Sequence, residues 1–216
     1  MYKRQEQTKA IGEWAEAHGL WVISDEIYQN LVYDGVRAVS IVEAVPALAD
    51  RTILVNGIAK SYAMTGWRLG WCVVTSALAP AVTAIHQMAV MCAPVPSQRA
   101  AILVFDGAAD QERKENLAEL RRRRNAAVKT LRSRLGLPFI EPEGAFYIFL
   151  DVSSWRADLG GSLDIALGLA GRTKVVTIPG IAFGPGGEGF LRLSFAGTPE
   201  DFAEGVRRIA AFRSLK

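Results

Sequence analysis

Three short, unbroken apolar runs do most to limit what this chain can fold into. They are LWVIS at residues 20–24, TILVN at 52–56 and LGWCVV at 69–74. A strand with one wet face alternates apolar and polar residues, whereas a continuous run suits a strand covered on both faces of a parallel sheet. A helix precedes the first run: Ala10, Ile11, Trp14 and Ala15 fall at helical spacing within residues 5–18, and Gly19 stops it. Helix, strand, helix-like spacer and strand in succession predict an α/β layer architecture.

From Ser76 to about Leu135 the pattern turns alanine-rich and helical, broken by CAPVPS at 92–97. Leu117, Leu120, Val128, Leu131 and Leu135 share a face of the last helical stretch. Short strands follow: AFYIFL at 145–150, KVVTI at 174–178 and FLRLSF at 190–195. A closing helix at 199–212 has Phe202, Val206, Ile209 and Phe212 in register. The expected organisation is a first α/β part over residues 1–112, including the start of a helical connector, and a smaller α+β part over 113–216.

Composition narrows the function classes. With 216 residues, 50% apolar and 22% charged, the chain can bury a core and is too apolar to stay disordered. It has no run of eighteen apolar residues, which speaks against a membrane span. MYKRQEQTKAIGEW lacks the apolar centre and cleavage site of a secretory signal. The cysteines are Cys72 and Cys92, without CxxC spacing, and the histidines are His18 and His86. A disulfide framework or a Cys/His metal site is hard to build from these, so the cytoplasm is the expected compartment. A net charge of +3 suits small anionic ligands as well as nucleic acid. RRRR at 121–124, with Glu115 and Glu119 nearby, reads as a solvated helix face rather than a nucleic-acid patch. His18 reads as a helix C-terminal residue, and His86 as packed among apolar neighbours. Phe146 and Tyr147 read mostly as core.

Three segments could carry chemistry. SDEIY, residues 24–28, follows an apolar strand, and open α/β sheets bind ligands at such strand ends. Asp25 there either faces a ligand or caps the next turn. A nucleotide-hydrolase reading of the same acid would need GxxxxGK[ST], which the sequence does not contain. NGIAKSYAMTGWRLGW, residues 56–71, places Lys60 just past a second strand. It is either a desolvated nucleophilic amine or a surface loop lysine. Gly57, Gly66 and Gly70 suggest close backbone approach. Arg68, at the start of an apolar strand, needs a partner, either a phosphate or a protein carboxylate. In FLRLSFA, residues 190–196, Arg192 shares a strand face with Ser194. It is either a carboxylate receptor or a salt-bridged edge-strand arginine.

Taken together, DExY, NGxxK with YAMTGWRLGW, PEGAFY, PGxxFG and LRLSFA resemble the class I pyridoxal-phosphate aminotransferases of fold type I, in the aspartate and aromatic branch. The likeness runs from about Tyr2 to the C-terminus. It implies part of the large domain, a mostly parallel sheet with helices, followed by the small C-terminal α+β domain. It implies pyridoxal 5′-phosphate as cofactor, with Asp25 on the pyridine nitrogen, Tyr28 on the ring oxygen, Lys60 forming the Schiff base and Arg68 on the phosphate. Arg192 would receive the substrate α-carboxylate. The reaction implied is ping-pong exchange of an amino group between an L-amino acid, aspartate-like or aromatic, and a 2-oxo acid such as 2-oxoglutarate. A lyase on the same fold is the catalytic alternative.

Length is where the chain departs from that family, whose members are much longer. The resemblance implies a C-terminal portion, starting where the family's NPTG turn would end. The aromatic that stacks on the ring, the glycine-rich phosphate loop and the N-terminal arm would lie outside it. A truncated, inactive product is therefore a second reading, and the first strands are expected to expose apolar surface and open sheet edges. For a full-length parent the resemblance implies a homodimer with composite sites.

Overall fold

The structure, a computed structural model, describes residues 5–213. The chain divides into two compact units that part between Leu117 and Ala118, inside one long helix.

The first unit comprises α1 (Gln5–Ala17), β1 (Val22–Asp25), α2 (Ile41–Ala44), β2 (Thr52–Gly57), α3 (Ile58–Ser61), β3 (Gly70–Val73), α4 (Ala79–Val90), α5 (Val95–Phe105) and the start of α6 (Asp110–Arg134). His18 closes α1, its Nδ1 2.8 Å from the Trp14 carbonyl oxygen. β1 and β2 pair in parallel, with Val22 opposite Thr52 and Asp25 opposite Val55. The crossover between them packs Ala15 of α1 with Ile41, Val45 and Leu48, and Val22 of β1 joins that cluster. A second cluster gathers Ile58, Ala101 and Val104, with Tyr62, Leu69 and Trp71 against it.

β3 departs from the parallel expectation and runs antiparallel to β2. The link between them is short and holds only the one-turn α3 and a 3-10 turn, whereas a parallel return needs a full crossover. The apolar runs also differ from the fully covered strands they resemble. β1 lies at the edge of the sheet, and Ile23 is 74% exposed. Trp21 and Val73 are exposed too. α4 has no buried residue, so His86 is exposed rather than packed.

The second unit holds the rest of α6, β4 (Tyr147–Asp151), α7 (Arg156–Leu159), α8 (Ser162–Thr173), β5 (Ile178–Pro179), β6 (Phe190–Ser194) and α9 (Pro199–Arg213). The sheet order is β4-β6-β5, with β6 antiparallel to both neighbours. Alternation sends Ile148 and Leu150 of β4, and Leu191 and Leu193 of β6, inward. Leu131 of α6, Ile165 and Leu169 of α8, and Val206, Ile209 and Phe212 of α9 are buried in the same unit. The strand expected at 174–178 shrinks to Ile178–Pro179. Lys174 ends α8 with a left-handed φ of 60°, and the residues up to Thr177 are irregular.

Two 3-10 turns, Gly180–Phe183 and Pro185–Gly187, join β5 to β6. Their backbones touch. A Cβ added at Gly180 would lie 1.9 Å from the Gly187 carbonyl oxygen, and one at Gly187 would lie 2.1 Å from that of Gly180.

The arginine run of α6 is less uniform than a solvated face. Arg124 is only 4% exposed, and its Nη1 donates to Glu141 at 2.8 Å. The aliphatic stem carries it inward among Ala127, Val128 and Leu131, and the buried charge is met by a carboxylate. At the surface, a glutamate shared by two arginines occurs twice. Glu119 takes hydrogen bonds from Arg122 and Arg123, and Glu204 of α9 takes them from Arg207 and Arg208. In each case the second arginine also donates to a carbonyl on another segment, Ala196 for Arg123 and Thr173 for Arg208.

Those arginine hydrogen bonds hold the Glu119 and Glu204 carboxyls down at about 2, against an ordinary 4.5. A carboxyl with a lower folded value adds stability above the unfolded value and loses it as the folded value is approached. Between about pH 4.5 and pH 2 the full chain should therefore lose stability through these two groups. In Glu119→Gln/Glu204→Gln the fall in melting temperature over that window should be shallower, and high salt should flatten the original chain's profile toward it. Parallel profiles for the two proteins would refute the assignment.

Candidate active site

Because β1 and β2 are parallel, their C-terminal ends leave the sheet on one side. The residues that follow each end are the ones singled out by motif. Asp25 closes β1 and is exposed, and its Oδ1 accepts a hydrogen bond from the Ile27 amide at 3.1 Å. The turn-capping role is thus present in the structure.

Its neighbour Glu26 does a different job, which sequence reasoning missed. Glu26 Oε1 accepts from Ser24 Oγ at 2.9 Å, Ser40 Oγ at 2.9 Å and the Ile41 amide at 3.2 Å. The Glu26 amide donates to the Val55 carbonyl at 2.8 Å. This half-buried acid ties the strand exit to the start of α2. Ser40, just ahead of the apolar IVEA helix, was the available signal.

The turn after β1 is tied to the junction of β2 and α3. Asn56 Nδ2 donates to Gln29 Oε1 at 3.0 Å, and Asn30 Nδ2 donates to Ser61 Oγ at 3.4 Å. Between those two links, Lys60 Nζ stands 6.0 Å from the centre of the Tyr28 ring. Lys60 is half-buried on α3, rather than on an exposed loop. Ile58 and Ser61, on either side of it, are buried and fix the short helix. The structure therefore brings Tyr28 and Lys60 together beside the strand end that carries Asp25.

Gly57 and Gly70 face each other where β2 meets β3. A Cβ on Gly57 would come within 2.9 Å of the Leu69 carbonyl oxygen and 3.1 Å of Gly70 Cα, so this pairing admits no side chain. Arg68 sits two residues before Gly70, outside β3, with a left-handed φ of 52°. It is exposed and donates from Nη1 to the Thr65 carbonyl at 3.1 Å. Among the described residues it forms no ion pair, so the protein-carboxylate partner considered from sequence is not present. Ala63 shares the left-handed conformation, at φ 54°. Non-glycine residues in that region carry strain of roughly 1 kcal/mol or more, and such strain collects at functional loops.

Arg192 belongs to the other unit. It lies on β6, the central strand, opposite Phe149 on one side and Ile178 on the other, so it is not an edge-strand residue. Its guanidinium carbon is 4.5 Å from the centre of the Tyr147 ring and 4.8 Å from that of Phe183. No ion pair or side-chain hydrogen bond joins it to a described residue. Phe146 and Tyr147 are half-buried, and their rings are 4.5 Å apart.

An amine, a phenol and a carboxylate thus follow the ends of one parallel strand pair in an α/β unit. Residues 3–209 match the model of aminotransferase class I and II, and the chain belongs to that family. It is 39% identical over 215 residues to an aspartate aminotransferase of Streptomyces avermitilis, covering 95% of this chain and 51% of that one. It is 39% identical over 209 residues to the valine–pyruvate aminotransferase of Mycobacterium tuberculosis, covering 96% and 52%. Among solved structures, the aromatic aminotransferase from Pyrococcus horikoshii superposes with a TM-score of 0.86 at 34% identity, over 96% of this chain and 54% of that one. The chain spans about half the length of the curated relatives it matches. No described helix is long and apolar enough to cross a membrane.

The two backbone constraints at the site predict opposite outcomes. Gly57→Ala should destabilise the full chain by about 1–3 kcal/mol, since the added methyl meets backbone rather than a movable side chain. Arg68→Gly should leave stability unchanged or raise it by up to about 1 kcal/mol, because only the strained residue is relaxed. Urea denaturation of both variants checks this. A stable Gly57→Ala would show that the pairing can open at no cost.

Proposed function

We propose that this chain carries the cofactor-attaching and substrate-holding residues of a pyridoxal-phosphate aminotransferase. The observation that carries the reading is the meeting of Lys60 with Tyr28 beside Asp25 at one end of a parallel strand pair.

The donor set fits the cofactor's chemistry. A carboxylate, a phenol, a half-buried amine and an arginine with no carboxylate partner among the described residues match a ring nitrogen, a ring oxygen, an aldehyde and a phosphate in turn. When bound, pyridoxal phosphate supplies an electron sink for charge developing at the substrate α-carbon. The protein's residues do the rest. The Asp25 carboxylate would face the ring nitrogen and favour its protonated form. Tyr28 donates to the ring oxygen. Lys60 would supply the amine that attaches the aldehyde, and the same amine would take the proton from the substrate α-carbon. Arg68 grips the phosphate, and its exposed N–H edge is what such a contact requires. Arg192 holds the substrate α-carboxylate and so fixes the orientation of the bond to be broken.

The reaction that follows is ping-pong transfer of an amino group between an L-amino acid, aspartate-like or aromatic, and a 2-oxo acid such as 2-oxoglutarate. Under this reading residues 1–112 belong to the large domain and 113–216 to the small one, and the parent enzyme is a homodimer. Two exposed free thiols, Cys72 and Cys92, suit the reducing cytoplasm. The exposed faces of β1 favour a second reading, in which the chain keeps these residues without holding the cofactor.

One experiment separates the two. The 216-residue chain is mixed with pyridoxal phosphate, reduced with borohydride and mapped by peptide mass spectrometry. The label should fall on Lys60, and Lys60→Ala should lose both it and the visible absorption of attached cofactor. Label on another lysine would overturn the assignment of Lys60. No label on the unaltered chain would favour the second reading.

A further inference from the structure

Several described arginines of this chain are met by carboxylate oxygen. Arg122, Arg123, Arg207 and Arg208 hydrogen-bond to glutamates, and the buried Arg124 is met by Glu141. Arg192 is held differently. It is half-buried on the central strand of its sheet, and its guanidinium lies over two aromatic rings, Tyr147 at 4.5 Å and Phe183 at 4.8 Å. Both distances are well inside the range for attraction between a cation and a ring face.

Ring contact and oxygen contact have different consequences. A glutamate would occupy the N–H donors and cancel the charge. Ring faces attract the charge while occupying none of the donors that a carboxylate would use. A guanidinium held in this way keeps its planar fork for a ligand, and its rotamers are already restricted before the ligand arrives, so less entropy is lost on binding. The rings are themselves braced. Phe183 meets Phe149 edge-on at 5.7 Å, Phe149 stacks on Phe190 at 5.2 Å, and Tyr147 abuts Phe146. The short turn that carries Phe183 is fixed by the contact between Gly180 and Gly187.

We propose that Tyr147 and Phe183 are positioning residues that hold Arg192 as a preformed fork for the two oxygens of a substrate carboxylate. This rests on the reading of Arg192 as the carboxylate receptor. Neither ring need touch the reacting atoms. Their contribution is to hold the guanidinium in place without occupying its N–H donors.

Arginine Nε–H resonances of the 15N-labelled full chain provide the test, in titrations with 2-oxoglutarate. In the free protein the Arg192 signal, identified by its loss in Arg192→Lys, should be displaced upfield by the two rings. It should then move saturably with the oxo acid, and Arg192→Lys should bind at least about tenfold more weakly. Phe183→Leu and Tyr147→Leu should each abolish part of the ring displacement and weaken binding about three- to fivefold, whereas Phe183→Trp and Tyr147→Phe should retain it. Phe183 is 52% exposed, so its substitution leaves the fold intact even if Tyr147→Leu does not fold. If Arg192→Lys weakens binding but Phe183→Leu does not, the positioning role is wrong and the receptor reading stands. If the Arg192 signal ignores the oxo acid, or Arg192→Lys binds as well as the original, the receptor reading falls and the proposal with it.

Discussion

The parallel pairing of β1 with β2 is the constraint from which the candidate site follows. Two strands running the same way must release their chains on the same side of the sheet. Asp25 and Tyr28 leave one strand there, and Gly57 and Lys60 leave the other. Had β2 turned back on β1 as a hairpin, these groups would stand at opposite ends. The pairing alone does not fix the side chains. Glu26 takes three donors on one oxygen, and the Asn56–Gln29 and Asn30–Ser61 links sew the two exits together. Adjacent acids of the same charge are thereby given different work: Glu26 is tied into the fold, while Asp25 stays exposed with one oxygen on a turn amide.

A similar division separates the arginines. Arg123 of α6 and Arg208 of α9 have their charges met by glutamates and also clip their helices to a carbonyl on another segment. Among the described residues, Arg68 and Arg192 have no such carboxylate. One sits on a strained turn, and the other rests on aromatic faces.

Much of this was legible in the sequence, for identifiable reasons. The runs at 52–56 and 190–195 became strands where they were expected; in β6 the alternation also set the buried face, whereas the continuous run of β2 is only half-covered. The sequence singled out Asp25, Lys60, Arg68 and Arg192, and the resemblance added Tyr28, whose ring centre stands 6.0 Å from Lys60 Nζ. Spacing could not show that β3 returns antiparallel, since the feature that governs it is the length and content of the link after α3. Nor could it show that Arg124 is buried within a run of arginines, because its partner Glu141 lies beyond the end of the helix. KVVTI has strand composition, yet Lys174 turns left-handed to end α8 and most of the run stays irregular. The exposure of Ile23 and Val73 was readable only through the resemblance, which put further parts of the fold outside this chain.

The contact between Gly180 and Gly187 has a genetic consequence. Each backbone occupies the space where the other's first side-chain carbon would be. Every missense change in a glycine codon, whatever the base altered, adds that carbon. Neither codon therefore has a neutral amino-acid neighbour through which the turn could drift, and a compensating change at the opposite position would itself have to pass through the same collision.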